Sequence, residues 1–166
     1  MKRIYVAHPL RGLDQAHGSF VKENMKETEE ICKQIANADS YYDVPAGEWM
    51  PVSPLHAFSF LSGFDPERVM KYCFELLHSC DEMWVFGRWW ESEGLLRELG
   101  FAAANHVVVK IFPGFYIDDE PVEIKDLAQL CDYFARCIYT TSLRLDSAKS
   151  AATVELNDVE RVADLS

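Results

Sequence analysis

Ser92, Gly94 and Glu98 are the residues whose types and spacing in this chain could do chemistry. An apolar strand, Glu82 to Phe86, runs through Gly87 into a short loop; Ser92 opens the next helix, and Glu98 follows among Leu95, Leu99 and Ala102. At about 100° per residue those three apolar residues form one stripe. Glu98 falls on its edge above Gly94, whose missing side chain leaves room for a ligand. A carboxylate at such a boundary is partly desolvated and can still reach a substrate, beside a helix N-terminus that suits phosphate. The same residues have plain structural uses, since glutamate favours helices on solvated flanks and a serine hydroxyl satisfies an orphan amide of the first turn. This segment alone leaves both uses open.

The elements that position these residues follow from the pattern along the chain. Lys2 to Ala7 reads as a strand stopped by His8-Pro9-Leu10-Arg11-Gly12, and about Ser19 to Ala38 as an amphipathic helix. Tyr41 to Glu48 reads as a loop and Trp49 to Val52 as the second strand, running into Ser53-Pro54-Leu55-His56. Asp65-Pro66-Glu67 carries an Asp N-cap and a Pro at the first helical position, predicting a helix to about Ser79. The third strand, Glu82 to Phe86, the helix Ser92 to Asn105 and a fourth strand, Val107 to Phe112, complete the alternation. Continuous apolar strands alternating with helices predict an α/β fold whose parallel sheet is covered on both faces. After Pro113-Gly114 a helix is expected from about Glu123 to Ile138, and residues 140–166, polar and without apolar period, are expected to form a flexible tail beyond a domain of residues 1–139. In such folds ligands bind beyond the carboxyl ends of the strands, which gathers the loops His8 to Gly12, Ser53 to Phe58, Gly87 to Ser92 and the one after Phe112 around one crevice.

At 166 residues, 49% hydrophobic and 26% charged, the chain has the composition of a soluble globular protein. It contains no apolar run of about 18 residues and no leader-like start, so a cytoplasmic protein without a membrane partner is expected. A net charge of -11 argues against a nucleic-acid polymer, because that binding neutralises backbone phosphates with Lys and Arg. A small phosphorylated ligand needs only a local cation and a helix N-terminus. The five cysteines show neither CxxC nor Cys/His metal spacing and read as reduced, mostly buried thiols, with no metal site expected.

The motifs Ile4-Tyr5-Val6-Ala7 with Pro9-Leu10-Arg11-Gly12, Asp81 opening the third strand, and Ser92-x-Gly94-x-x-x-Glu98-Leu99-Gly100-x-Ala102 resemble the nucleoside 2-deoxyribosyltransferase-like superfamily. Within it the chain is most similar to the deoxynucleoside 5'-monophosphate N-glycosidases and to related uncharacterised bacterial and phage domains. The resemblance covers roughly Lys2 to Phe112. It implies a flavodoxin-like three-layer sandwich, with a parallel sheet of four to five strands in the order 2-1-3-4, and cleavage or transfer at the N-glycosidic bond of a small nucleotide without cofactor. Glu98 matches the family nucleophile and Tyr5 a tyrosine beside it. His8, Arg11, Gly12, His56, Gly87, Ser92 and Gly94 are the implied substrate-binding set, with Arg11 and Ser92 on phosphate. Serine at position 92, where members acting on free nucleosides tend to carry aspartate, implies a monophosphate substrate. Trp89 and Trp90, expected to be exposed, could stack on a base or cover the interface of a homodimer or higher homo-oligomer. Cys73 stands where the family often has an aspartate, which leaves the proton for the leaving base to another group such as His56, His78 or Glu75. The alternative is a non-catalytic nucleotide-binding or sensing domain of the same fold.

Overall fold

The computed structural model describes residues 1–10, 19–37, 48–61, 63–112 and 121–137. The strands are β1 (Lys2–Ala7), β2 (Trp49–Val52), β3 (Glu82–Val85), β4 (Val108–Ile111) and β5 (Val122–Ile124); the helices are α1 (Ser19–Ala36), α2 (Pro54–Ala57), α3 (Pro66–His78), α4 (Glu93–Ala104) and α5 (127–137). The five strands form one sheet in the order β2-β1-β3-β4-β5. The fold is thus α/β with a mostly parallel sheet, and its first four strands take the expected order.

β5 departs from expectation, because it pairs antiparallel with β4 where the sequence predicts the start of a helix. The connection from β4 is shorter than the dozen or so residues that a parallel crossover requires. The helix itself begins only after Asp126, whose carboxylate accepts from Gln129 N at 2.9 Å while Gln129 Oε1 accepts from Lys125 N at 3.0 Å. These reciprocal bonds end the strand and start the helix within three residues.

The starts of α3 and α4 follow the sequence signals: Asp65 accepts from Glu67 N ahead of Pro66, and Ser92 caps α4. Ser53 to Phe58, expected as a loop, instead contains the one-turn helix α2, because the Ser53 side chain accepts from His56 N and Pro54 stands at the first helical position. Alternation along β1 then divides the core between the two sheet faces. Ile4 and Val6 join Trp84, Phe86 and Phe112 in one cluster with Ile31 and Ile35 of α1. Tyr5, between them, points to the opposite face, where its hydroxyl reaches α4. Helices therefore cover both faces.

On the α4 face, α3 and α4 pack together through Phe74 and Phe101, stacked at 4.6 Å. Arg97 adds a two-pronged ion pair to Glu67, both contacts at 2.8 Å. Trp89 and Trp90 form a short helical turn before α4, and they are not exposed: Trp89 is fully buried and Trp90 partly so, their rings 5.7 Å apart. The turn folds the Trp89 indole into the core and leaves Trp90 partly accessible. The chain divides into units 1–130 and 131–166, and of the second only the helical residues 131–137 are described. The expected tail lies outside the described residues. Among these, no helix is long and apolar enough to cross a membrane.

Candidate active site

Capping by Ser92 starts α4 so that Leu95, Leu99 and Ala102 face the sheet, and Glu98 is carried inward with them. Its residue exposure is 7%, so it sits inside the stripe's shadow and not on a solvated edge. Tyr5, wholly buried in the middle of β1, donates its hydroxyl to Glu98 Oε1 at 2.8 Å. Cys73, buried on α3, lies beside the same carboxyl and the Tyr5 hydroxyl. Three residues from three elements thus converge on one carboxyl group.

Their electrostatics follow from that burial. Desolvation pushes the Glu98 carboxyl up to about 7, and the Tyr5 hydrogen bond, with the neighbouring Cys73 thiol, favours the ionised form and holds it from going higher. Burial and then the Glu98 charge push the Cys73 thiol up to about 12, so it remains protonated at neutral pH and acts only as a donor. The Tyr5 phenol is raised well above its ordinary value, by burial first and Glu98 second. At neutral pH this triad holds one proton more or less on Glu98 and none to spare elsewhere. It can stabilise or trap a cationic centre, but its thiol cannot supply a proton.

Ser92 Oγ accepts from Leu95 N at 3.4 Å, a long cap that leaves the hydroxyl capacity for another partner. Gly87 adopts a positive φ of 69°, and a Cβ there would stand 3.1 Å from His8 Nε2, so the residue is held to glycine by both backbone and packing. His8 is almost fully buried at the end of β1: its Nδ1 meets the Pro9 carbonyl at 3.0 Å, and its Nε2 faces the Glu27 carboxylate at 3.3 Å, short of hydrogen-bond alignment. Burial lowers the imidazole's basicity, opposed by the Pro9 carbonyl and Glu27.

The structure brings Tyr5 and Glu98 together, with Ser92 and Gly94 on the same helix. His8 instead leads to Glu27 of α1, on the opposite face of the sheet. His56 is exposed on α2 and bonds Ser53 Oγ through Nδ1 at 2.9 Å. Arg11 and Gly12 lie outside the described residues. The hollow over Gly94 is already taken, since a Cβ there would stand 3.3 Å from Met70 Cε. Met70, Cys73 and Leu77 share a helical face at i, i+3 and i+7, so once Cys73 stands beside Glu98 the Met70 side chain falls one turn away, against Gly94.

No model of a known protein family matches this chain, and no curated protein matches it either. Among the described residues, no group of three or more His, Cys, Asp and Glu is arranged to hold a metal ion.

Proposed function

We propose that this chain is a nucleoside 2-deoxyribosyltransferase-like protein of flavodoxin-like fold that breaks the N-glycosidic bond of a small nucleotide, a nucleoside 5'-monophosphate, with Glu98 as nucleophile. The observation that carries the reading is the sealed carboxyl of Glu98 with the Tyr5 hydroxyl at 2.8 Å. Ionised Glu98 attacks the anomeric carbon as the bond to the base breaks, and its electron pair leaves with the base. The oxocarbenium-like transition state is stabilised by the adjacent negative charge, which then closes to a glycosyl ester. Water or a second base resolves the ester. Burial serves this step, because a charge in low dielectric acts more strongly on a cation than one in water.

Tyr5 and Cys73 keep the carboxyl oriented and favour its ionised form. The base's proton comes from a group other than Cys73, whose thiol holds its own. Ser92 and the first-turn amides of α4 suit the 5'-phosphate, and Arg11 supplies the charge. A set of nucleosides and nucleotides incubated with the protein and chromatographed for free base tests the activity, with Glu98→Gln as control. Ser92→Asp and Arg11→Ala test the phosphate: each should lower the ratio of kcat/KM for a deoxynucleoside monophosphate over its free nucleoside, by like-charge repulsion or loss of attraction. An unchanged ratio in both would sink the assignment.

A second reading, a nucleotide-binding domain without turnover, is favoured by the thiol at Cys73 where proton handling would call for an acid. Binding without base release separates it, since a ligand at about 100 times its Kd adds roughly 2.7 kcal/mol to stability and raises Tm.

A further inference from the structure

The contacts between α3 and α4 run in step. Met70 meets Gly94, Cys73 meets Glu98, and Phe74 stacks on Phe101. The two helices therefore lie parallel, both starting at the carboxyl ends of the strands, and Met70 and Gly94 stand one turn nearer that end than Cys73 and Glu98. A helical side chain leans toward the N-terminus of its helix, so the Glu98 carboxyl extends over the turn that holds Gly94. Gly94 offers no side chain to close that hollow. The Met70 methyl group occupies it instead, 3.3 Å from where a Cβ would be.

We propose that Met70 is a movable plug over Glu98, the side chain that a sugar-sized ligand displaces to reach the carboxyl from the strand ends. This rests on reading Glu98 as the reacting group. Methionine suits the role because its unbranched thioether has three rotatable bonds and re-packs at low cost. Met70 is itself only half-buried, so it has solvent to swing into. Glu98, by contrast, is 7% exposed, and the Met70 methyl group lies over Gly94, one turn nearer the strand ends, on the side toward which the carboxyl extends.

Carboxyl labelling tests the plug without relying on turnover. The wild type, Met70→Ala and Met70→Leu are treated with a water-soluble carbodiimide and a small amine, and the labelled peptides are quantified by mass spectrometry. Exposed Glu23 normalises the reaction, and Glu82, buried to the same 7% on the sheet, reports general loosening. Met70→Ala should raise labelling of Glu98 by about tenfold, the ratio given by about 1.4 kcal/mol less opening free energy, with Glu82 unchanged. Met70→Leu, which refills the hollow, should restore protection. Glu98 labelling that does not rise, or that rises in step with Glu82, overturns the proposal. If Met70→Ala does not fold, Met70→Val opens the same hollow and is read in the same way. A wild type that releases no base from any nucleotide would sink the glycosidase reading, and the labelling result would still decide the plug.

Discussion

Glu98 is a carboxyl whose usefulness and cost have the same origin. Burial raises it from 4.5 to about 7, so the folded state holds its proton more tightly than the unfolded chain does. Its contribution to stability is complete below the unfolded value and is lost as pH rises through about 7, a loss of about 3 kcal/mol at about 1.4 kcal/mol per unit. Glu98→Gln removes this titration. Its stability relative to wild type should therefore increase between pH 4.5 and about 7 and then level off, as followed by urea unfolding across that window, while base release is abolished. A difference independent of pH would contradict the buried carboxyl. Tyr5→Phe acts in the opposite sense on the same group: it deletes a hydrogen bond that favours the ionised form, so the Glu98 midpoint should move above about 7. A carbon-13 NMR titration of the side-chain carboxyl reads this directly, and a lowered midpoint would show that Tyr5 does not donate to it.

At the scale of elements, β3 carries a second buried carboxyl with the opposite behaviour. Burial raises the Glu82 carboxyl, but hydrogen bonds from Lys110 at 2.9 Å, Trp84 Nε1 at 2.9 Å and Lys2 at 3.1 Å outweigh it and leave the group below its ordinary value. These bonds tie β1, β3 and β4 together at one end of the sheet, and Lys110 also lies 5.5 Å from the Trp84 ring centroid. Glu82→Gln should cost about 1–3 kcal/mol at neutral pH, where charge-assisted bonds become weaker neutral ones. Because the folded value is depressed, that contribution is present above the unfolded value and lost as pH falls through the folded one. The difference between Glu82→Gln and wild type should accordingly shrink in acid, and a difference that grows there would reverse the assignment. The two carboxyls thus predict opposite pH slopes from one sheet.

At the scale of the whole molecule, every buried apolar side chain among the described residues lies between Ile4 and Leu130. The polar, aperiodic sequence after Leu145 predicts that a chain ending there keeps the Tm and any activity of the full chain, measured by calorimetry and base release. A fall in Tm of several degrees, about what 1 kcal/mol produces in a domain of this size, would show that the removed residues contribute to packing.

The sequence by itself determined the order of the first four strands and of α1, α3 and α4 along the chain, and the residues that start α3 and α4, because capping and apolar period act between residues a few positions apart. It also singled out Glu98, Ser92 and Tyr5. Tertiary structure alone decided what surrounds them. Glu98 is bonded to Tyr5 from 93 positions away, and its other neighbour, Cys73, stands on a helix that only the sheet order brings alongside. The inward fold of Trp89 and the antiparallel β5 were equally hidden, the first because an indole's exposure depends on what packs over it. The second turned on a connection too short for a crossover and a cap at Asp126 that ends the strand. Local signals specify where an element begins, whereas desolvation and hydrogen-bond partners are properties of neighbours that the chain sequence does not place side by side.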